Sequence, residues 1–203
     1  MVKIKICGLK RALDIEYVNE LKPDYIGFVF ADSKRRVSED IALELTKNLR
    51  KDIKTVGVFV NEDINRVKEI SEKVKLDILQ FHGDEDMTYI NSFTGYQVWK
   101  SFSIRGEGDL ENLSKYTKVS FLLDSKIEGI RGGSGRTFNW NILKDFNLQN
   151  KIILAGGLSI ENITEAIKVV RPFAVDVSSG VESQGVKDYK KIKDFIGKVR
   201  SFI

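Results

Sequence analysis

Eight short runs of β-branched and aromatic residues recur along the 203-residue chain at intervals of about 25 residues. They cover residues 2–7, 24–30, 53–60, 77–81, 96–102, 119–124, 151–155 and 173–178. Several are nearly continuous apolar strings, the pattern of parallel strands covered on both faces. Between them the apolar residues change period. Ile15, Val18 and Leu21, then Ile41, Leu45 and Leu49, then Ile64, Val67, Ile70 and Val74 follow helical spacing. Ser38, with Glu39 and Asp40 behind it, is an N-cap followed by an acidic first turn. Ser159 is expected to cap a later helix with Asn162 at its third position, carrying Ile163, Ala166, Ile167 and Val170. Ile192, Phe195, Ile196 and Val199 line the last helix, and short fifth and sixth helices are expected near 110–116 and 140–146.

Eight strand–helix units in series predict an α/β fold, a single (β/α)8 TIM barrel near minimal length, with residues 1–203 as one domain. A doubly wound open sheet would carry its phosphate loop after the first strand. Cys7-Gly8-Leu9 is too short to be G-x-G-x-x-G.

Composition narrows the function. Net charge is +4, but basic and acidic residues interleave, so a mixed solvated surface is expected and nucleic acid is not. The bias would help attract an anionic metabolite. One cysteine allows no internal disulfide, so a cytoplasmic protein is expected. No signal peptide or membrane span is expected, because residues 1–8 alternate Lys with Val and Ile and no apolar run approaches ~20 residues. With one Cys and one His, no metal site is expected.

In such barrels chemistry sits at the C-terminal ends of the strands. Those ends carry Cys7, the loop through Arg35, Asn61, His82, Ser101, Asp124, Gly156-Gly157 and Ser178-Ser179-Gly180. Glycine loops after strands seven and eight let backbone N–H groups approach an anion, so Gly156, Gly157, Ser179 and Gly180 are candidate phosphate binders. Taken singly, Cys7 reads as readily as a small buried residue, Asp124 as a turn aspartate, Arg35 as a surface arginine and His82 as a structural histidine. Lys5 and Asp176, on strands that neighbour each other in a closed barrel, are expected to point inward and pair.

The motifs then resemble one family in order along the chain. Lys5-Ile6-Cys7-Gly8-Leu9, Gly27-Phe28-Val29-Phe30 with Ser33-Lys34-Arg35, Val56-Gly57-Val58-Phe59-Val60-Asn61 and Leu79-Gln80-Phe81-His82-Gly83 resemble the first four strand ends of phosphoribosylanthranilate isomerases. Leu122-Leu123-Asp124, the stretch from Gly132 to Phe138, Ala155-Gly156-Gly157-Leu158 and the stretch from Arg171 to Glu182 continue the resemblance. The chain departs from the pattern at Lys10-Arg11 and at Ala31-Asp32.

The resemblance implies an Amadori rearrangement of a small-molecule substrate, phosphoribosylanthranilate, in tryptophan biosynthesis, without a cofactor. It implies Cys7 as general base, Asp124 as general acid and Arg35 at the anthranilate carboxylate. His82, Gly133 and Ser134 are further substrate contacts, with 132–135 as a lid, and Phe28 or Phe81 could meet the aromatic ring. A free thiol is only a few per cent thiolate at pH ~7, so Cys7 needs a nearby positive charge, and Lys5 is a candidate. Either a monomer or a homodimer fits. The competing readings are a histidine-pathway type phosphosugar isomerase, which would use an aspartate where Cys7 stands, a non-catalytic phosphate-binding barrel, and a basic RNA-binding protein.

Overall fold

The computed structural model describes residues 1–125, 139–143 and 150–202. Eight strands hydrogen-bond in chain order as a closed barrel: β1 (Lys3–Cys7), β2 (Tyr25–Val29), β3 (Lys54–Phe59), β4 (Ile78–Phe81), β5 (Gln97–Ile104), β6 (Ser120–Ser125), β7 (Ile152–Leu154) and β8 (Ala174–Val177). The pairings β2–β3, β3–β4, β4–β5, β6–β7 and β7–β8 are parallel. Each strand falls where an apolar run predicts one. The chain divides into two compact units, Ile6–Ser101 and Met1–Lys5 with Phe102–Ile203.

In the first unit the helices are α1 (Ala12–Leu21), α2 (Glu39–Lys47), α3 (Ile64–Val74) and the single turn α4 (Met87–Ile90). Ser38 caps α2 as expected, its hydroxyl accepting the Ile41 N–H at 3.3 Å, and Asp63 caps α3 by accepting from Asn65 and Arg66. Both caps satisfy N–H groups that lack partners in a helical first turn. α3 buries Val67, Ile70 and Val74. Phe59 and Phe81 join Phe30, Tyr89 and Phe93 in an aromatic cluster with ring centroids 5.0–6.3 Å apart. Phe28 and Phe81 are fully buried, so both are core residues.

In the second unit α5 (Ile163–Val170) and α6 (Tyr189–Arg200) follow β7 and β8. The fifth connection is not an α-helix. It forms 3-10 turns at Glu107–Asp109 and Glu111–Lys115, because Gly106 and Gly108 bracket its start and glycine is a poor helix former. The sixth shows a 3-10 turn at Trp140–Leu143, and the rest of its expected span lies outside the described residues. Between β8 and α6 lies a small hairpin of β9 (Glu182–Ser183) and β10 (Val186–Lys187). Gln184 and Gly185 turn it with φ of 51° and 77°, the positive-φ pair that two-residue hairpins favour. No helix among the described residues is long and apolar enough to cross a membrane.

Candidate active site

Cys7 ends β1 and is buried, 8% exposed. The turn after it is fixed by Gly8 and Leu9, whose N–H groups both donate to the Gly27 carbonyl at 2.8 and 3.1 Å. Arg35 lies across that turn. A β-carbon on Gly8 would stand 2.5 Å from Arg35 Cδ and 3.3 Å from its Cβ and Cγ. The loop after β2 is held down by the Val37 N–H to the Val29 carbonyl at 2.9 Å, and Ser33 Oγ accepts the Arg35 N–H at 3.0 Å. The Arg35 stem thus packs on the glycine that follows Cys7.

His82 follows β4. Its Nδ1 lies 3.2 Å from Gln80 Nε2, and its Nε2 lies 3.2 Å from Ser101 Oγ on β5. The ring is thus held between the Gln80 amide on one side and the Ser101 hydroxyl on the other. Beside it stands a buried ion pair that the sequence analysis missed. Lys100 Nζ lies 3.3 Å from Glu85 Oε2, with side chains 3% and 1% exposed. Lys100 also donates to the carbonyls of Gly83 at 2.8 Å and Ser101 at 3.0 Å. Glu85 accepts N–H bonds from Asn61 at 2.8 Å and Gly83 at 2.9 Å. This pair ties the loops after β3 and β4 to the middle of β5, with His82 beside it. Burial is the larger influence on Lys100 and pulls its pKa below the usual lysine value, against the upward pull of Glu85.

In the other unit Asp124 stands on β6 and is 7% exposed. The two glycine loops meet. Gly156 and Gly157 turn the chain with φ of 79° and 64°, consecutive left-handed values that residues with a β-carbon rarely adopt. A β-carbon on Gly180 would run into the Leu158 carbonyl, so the loop after β8 presses backbone to backbone on the loop after β7. Asn162 braces the β7 loop, donating to the Gly157 carbonyl and accepting the Ser159 N–H, each at 2.9 Å. That is half of the capping arrangement expected at Ser159. The regular helix begins at Ile163, whose N–H bonds the Ser159 carbonyl at 3.1 Å.

Lys187 is a second missed feature. Its ammonium, on a side chain 1% exposed, bonds Glu182 Oε1 at 2.6 Å, the Ser178 carbonyl at 3.0 Å and Ser178 Oγ at 3.3 Å. Lys5 and Asp176 pair as expected, Nζ to Oδ2 at 2.9 Å, with side chains 0% and 9% exposed. The Lys5 ammonium is therefore one half of an ion pair rather than a lone cation. Gly133 and Ser134, with the expected lid at 132–135, lie outside the described residues. Among the described residues no group of three or more His, Cys, Asp or Glu side chains is placed to hold a metal ion.

Comparisons with known proteins bear on this arrangement. Residues 4–198 match the family model for N-(5'phosphoribosyl)anthranilate (PRA) isomerase. The N-(5'-phosphoribosyl)anthranilate isomerase of Thermoanaerobacter sp. (strain X514) is 55% identical over 200 residues, covering 98% of each chain. The crystal structure of phosphoribosyl anthranilate isomerase from Thermotoga maritima superposes with a TM-score of 0.93 at 36% identity, covering 99% of this chain and 100% of that one. A crystal structure of that enzyme type in complex with reduced 1-(o-carboxyphenylamino)-1-deoxyribulose 5-phosphate aligns with a TM-score of 0.88 at 35% identity, again over 99% and 100% of the two chains. With the family model matched over residues 4–198 and a relative 55% identical over 98% of each chain, the chain belongs to the N-(5'-phosphoribosyl)anthranilate isomerase family.

Proposed function

We propose that this chain isomerises N-(5'-phosphoribosyl)anthranilate to 1-(2-carboxyphenylamino)-1-deoxyribulose 5-phosphate, as one domain of residues 1–203. The observation that carries the reading is the contact of the two glycine loops at Gly180 and Leu158, which in a chain of this family supports a backbone-lined cradle for an anion. The family's ligand, named in the complex of a structural relative, ends in such a phosphate.

The Amadori chemistry divides between two groups at strand ends. The carboxyl of Asp124 gives its proton to the ring oxygen. The C1'–O4' bond breaks, and the anthranilate nitrogen pushes its lone pair into an iminium. The thiolate of Cys7 takes the C2' proton, and the C–H electron pair moves through C1' to the iminium nitrogen, giving an enolamine. A proton then leaves the C2' hydroxyl while C1' gains one, and the ketone forms. Atoms balance without an external oxidant or reductant, and the iminium is the electron sink, so the reaction asks for no cofactor. Burial of Cys7 supports a shielded base, and Arg35, whose stem packs on the neighbouring Gly8, would match the planar anthranilate carboxylate by a charge-assisted pair. His82 is a further substrate contact, supported by its fixed ring. The expected setting is the cytoplasm, with the protein as a monomer or homodimer.

The test is loss of anthranilate-derivative fluorescence on adding the protein to freshly generated phosphoribosylanthranilate. Cys7→Ala and Asp124→Asn should each remove most turnover, about 100-fold or more, while circular dichroism stays unchanged. Near-normal turnover in either purified variant refutes its assigned role, and an inactive parent refutes the reading as a whole.

A further inference from the structure

Behind the loop that follows β8 lies a buried cation that the proposed chemistry does not use. The β9–β10 hairpin folds Lys187 back onto Glu182 and aims its ammonium at Ser178, the residue before the Ser179–Val181 turn. The hairpin itself is anchored. The Asp188 N–H bonds the Val181 carbonyl at 3.0 Å, Ser183 Oγ bonds Asp188 Oδ2 at 2.8 Å, and Lys191 Nζ bonds the Glu182 carbonyl at 2.7 Å. Lys187 is therefore held from both sides.

We propose that Lys187 is a positioning residue for the phosphate end of the substrate, an inference that rests on the phosphate reading of the two glycine loops. The Ser178 carbonyl and the Ser179 N–H belong to one planar trans peptide and point in opposite directions. Drawing the carbonyl oxygen onto the ammonium at 3.0 Å therefore aims the next N–H away from Lys187. The same bond keeps a carbonyl oxygen from turning toward an incoming anion. Glu182, 2.6 Å from Nζ, balances the charge, and the ammonium is almost completely shielded. Lys187 thus acts through the peptide it holds rather than by touching phosphate. A buried pair of this kind is a poor source of stability compared with an apolar replacement, which leaves loop geometry as its use.

The experiment uses inorganic phosphate as a competitive inhibitor in the turnover assay. The parent should be inhibited competitively. Lys187→Met, of similar length, should raise both KM and the phosphate inhibition constant about 10- to 100-fold, with kcat changed far less. Lys187→Arg, which keeps the charge and the donors, should recover part of the loss. A folded Lys187→Met variant with the parent's phosphate inhibition constant overturns the proposal. If Lys187→Met does not fold, Lys187→Gln is read the same way, since its shorter amide cannot reach both Ser178 and Glu182. A parent that turns over substrate but is not inhibited by phosphate overturns the phosphate reading itself, an outcome distinct from failure of the variant alone.

Discussion

Gly180→Ala tests the cradle directly. A β-carbon at this position falls well inside 3.0 Å of the Leu158 carbonyl oxygen, with the Leu158 carbonyl carbon at 3.1 Å and Ser159 Cα at 3.2 Å behind it. All three atoms are backbone, so no side chain can swing aside. Ordinary contact begins at 3.4 Å, and the β7 and β8 loops must separate by something on the order of 1 Å to reach it. The gap opens between the two segments whose N–H groups are proposed to hold one phosphate. A misplacement of that size is worth roughly 100-fold in kcat/KM, and most of it should fall on KM. Overpacking at a single site costs about 1–3 kcal/mol, so the melting temperature should drop by only several degrees. Steady-state fluorescence kinetics and a thermal melt on the same preparation measure both. A folded variant with KM within about twofold of the parent refutes the argument. So does a loss confined to kcat, because it would place the damage at the reacting carbons instead of the anion.

Arg35→Met should raise KM about 10-fold or more and leave kcat nearly unchanged, because the proposed charge-assisted bond to the carboxylate would be made in ground and transition states alike; an unchanged KM removes that role. Lys100→Met should destabilise the fold by about 3 kcal/mol, the low end for breaking a buried pair, since Glu85 keeps its N–H bonds from Asn61 and Gly83. Urea unfolding reads this, and a loss under about 1 kcal/mol would mean that the pair is incidental. The same residue sets a sign for pH. Burial holds its folded pKa below 10.5, so between those two values the unfolded chain binds more protons and the Lys100 contribution to stability rises with pH; the variant should lack that slope.

The barrel is legible in the sequence because each parallel strand must be apolar on both faces, and such runs end within two residues of where the strands do. Charged residues inside those runs were informative in proportion to their isolation. Lys5 and Asp176 sit among Val and Ile on neighbouring strands, so pairing was the only inexpensive outcome. Lys100 carried the same signal, lying between Trp99 and Ser101 in an apolar run, but its partner Glu85 sits in a polar loop with no pattern of its own. Lys187 had no signal, since its strand is two residues long and becomes buried only when the hairpin closes on Ser178. Ser159 reads as the cap of α5 with Asn162 at the third position; Asn162 does accept the Ser159 N–H, but its amide also donates to the Gly157 carbonyl and so braces the glycine turn. Local propensity located these side chains, and only the closed loops decided what they bind.

The two buried lysines missed by sequence share one physical task. At the C-terminal ends of parallel strands the chain leaves carbonyl oxygens facing the loops, and an anionic substrate would meet them as repulsive dipoles. Lys100 draws in the carbonyls of Gly83 and Ser101, and Lys187 draws in that of Ser178. Each is balanced by one carboxylate, Glu85 or Glu182, so neither leaves a net charge that would compete with the substrate's own contacts. Glu85 also gathers the N–H groups of Asn61 and Gly83, satisfying donors that the loops would otherwise leave open. An apolar pair of the same volume would relieve the desolvation cost, but it would leave those carbonyls unbonded and free to reorient. The burial of these charges follows from the loops they hold rather than from the strength of the pairs.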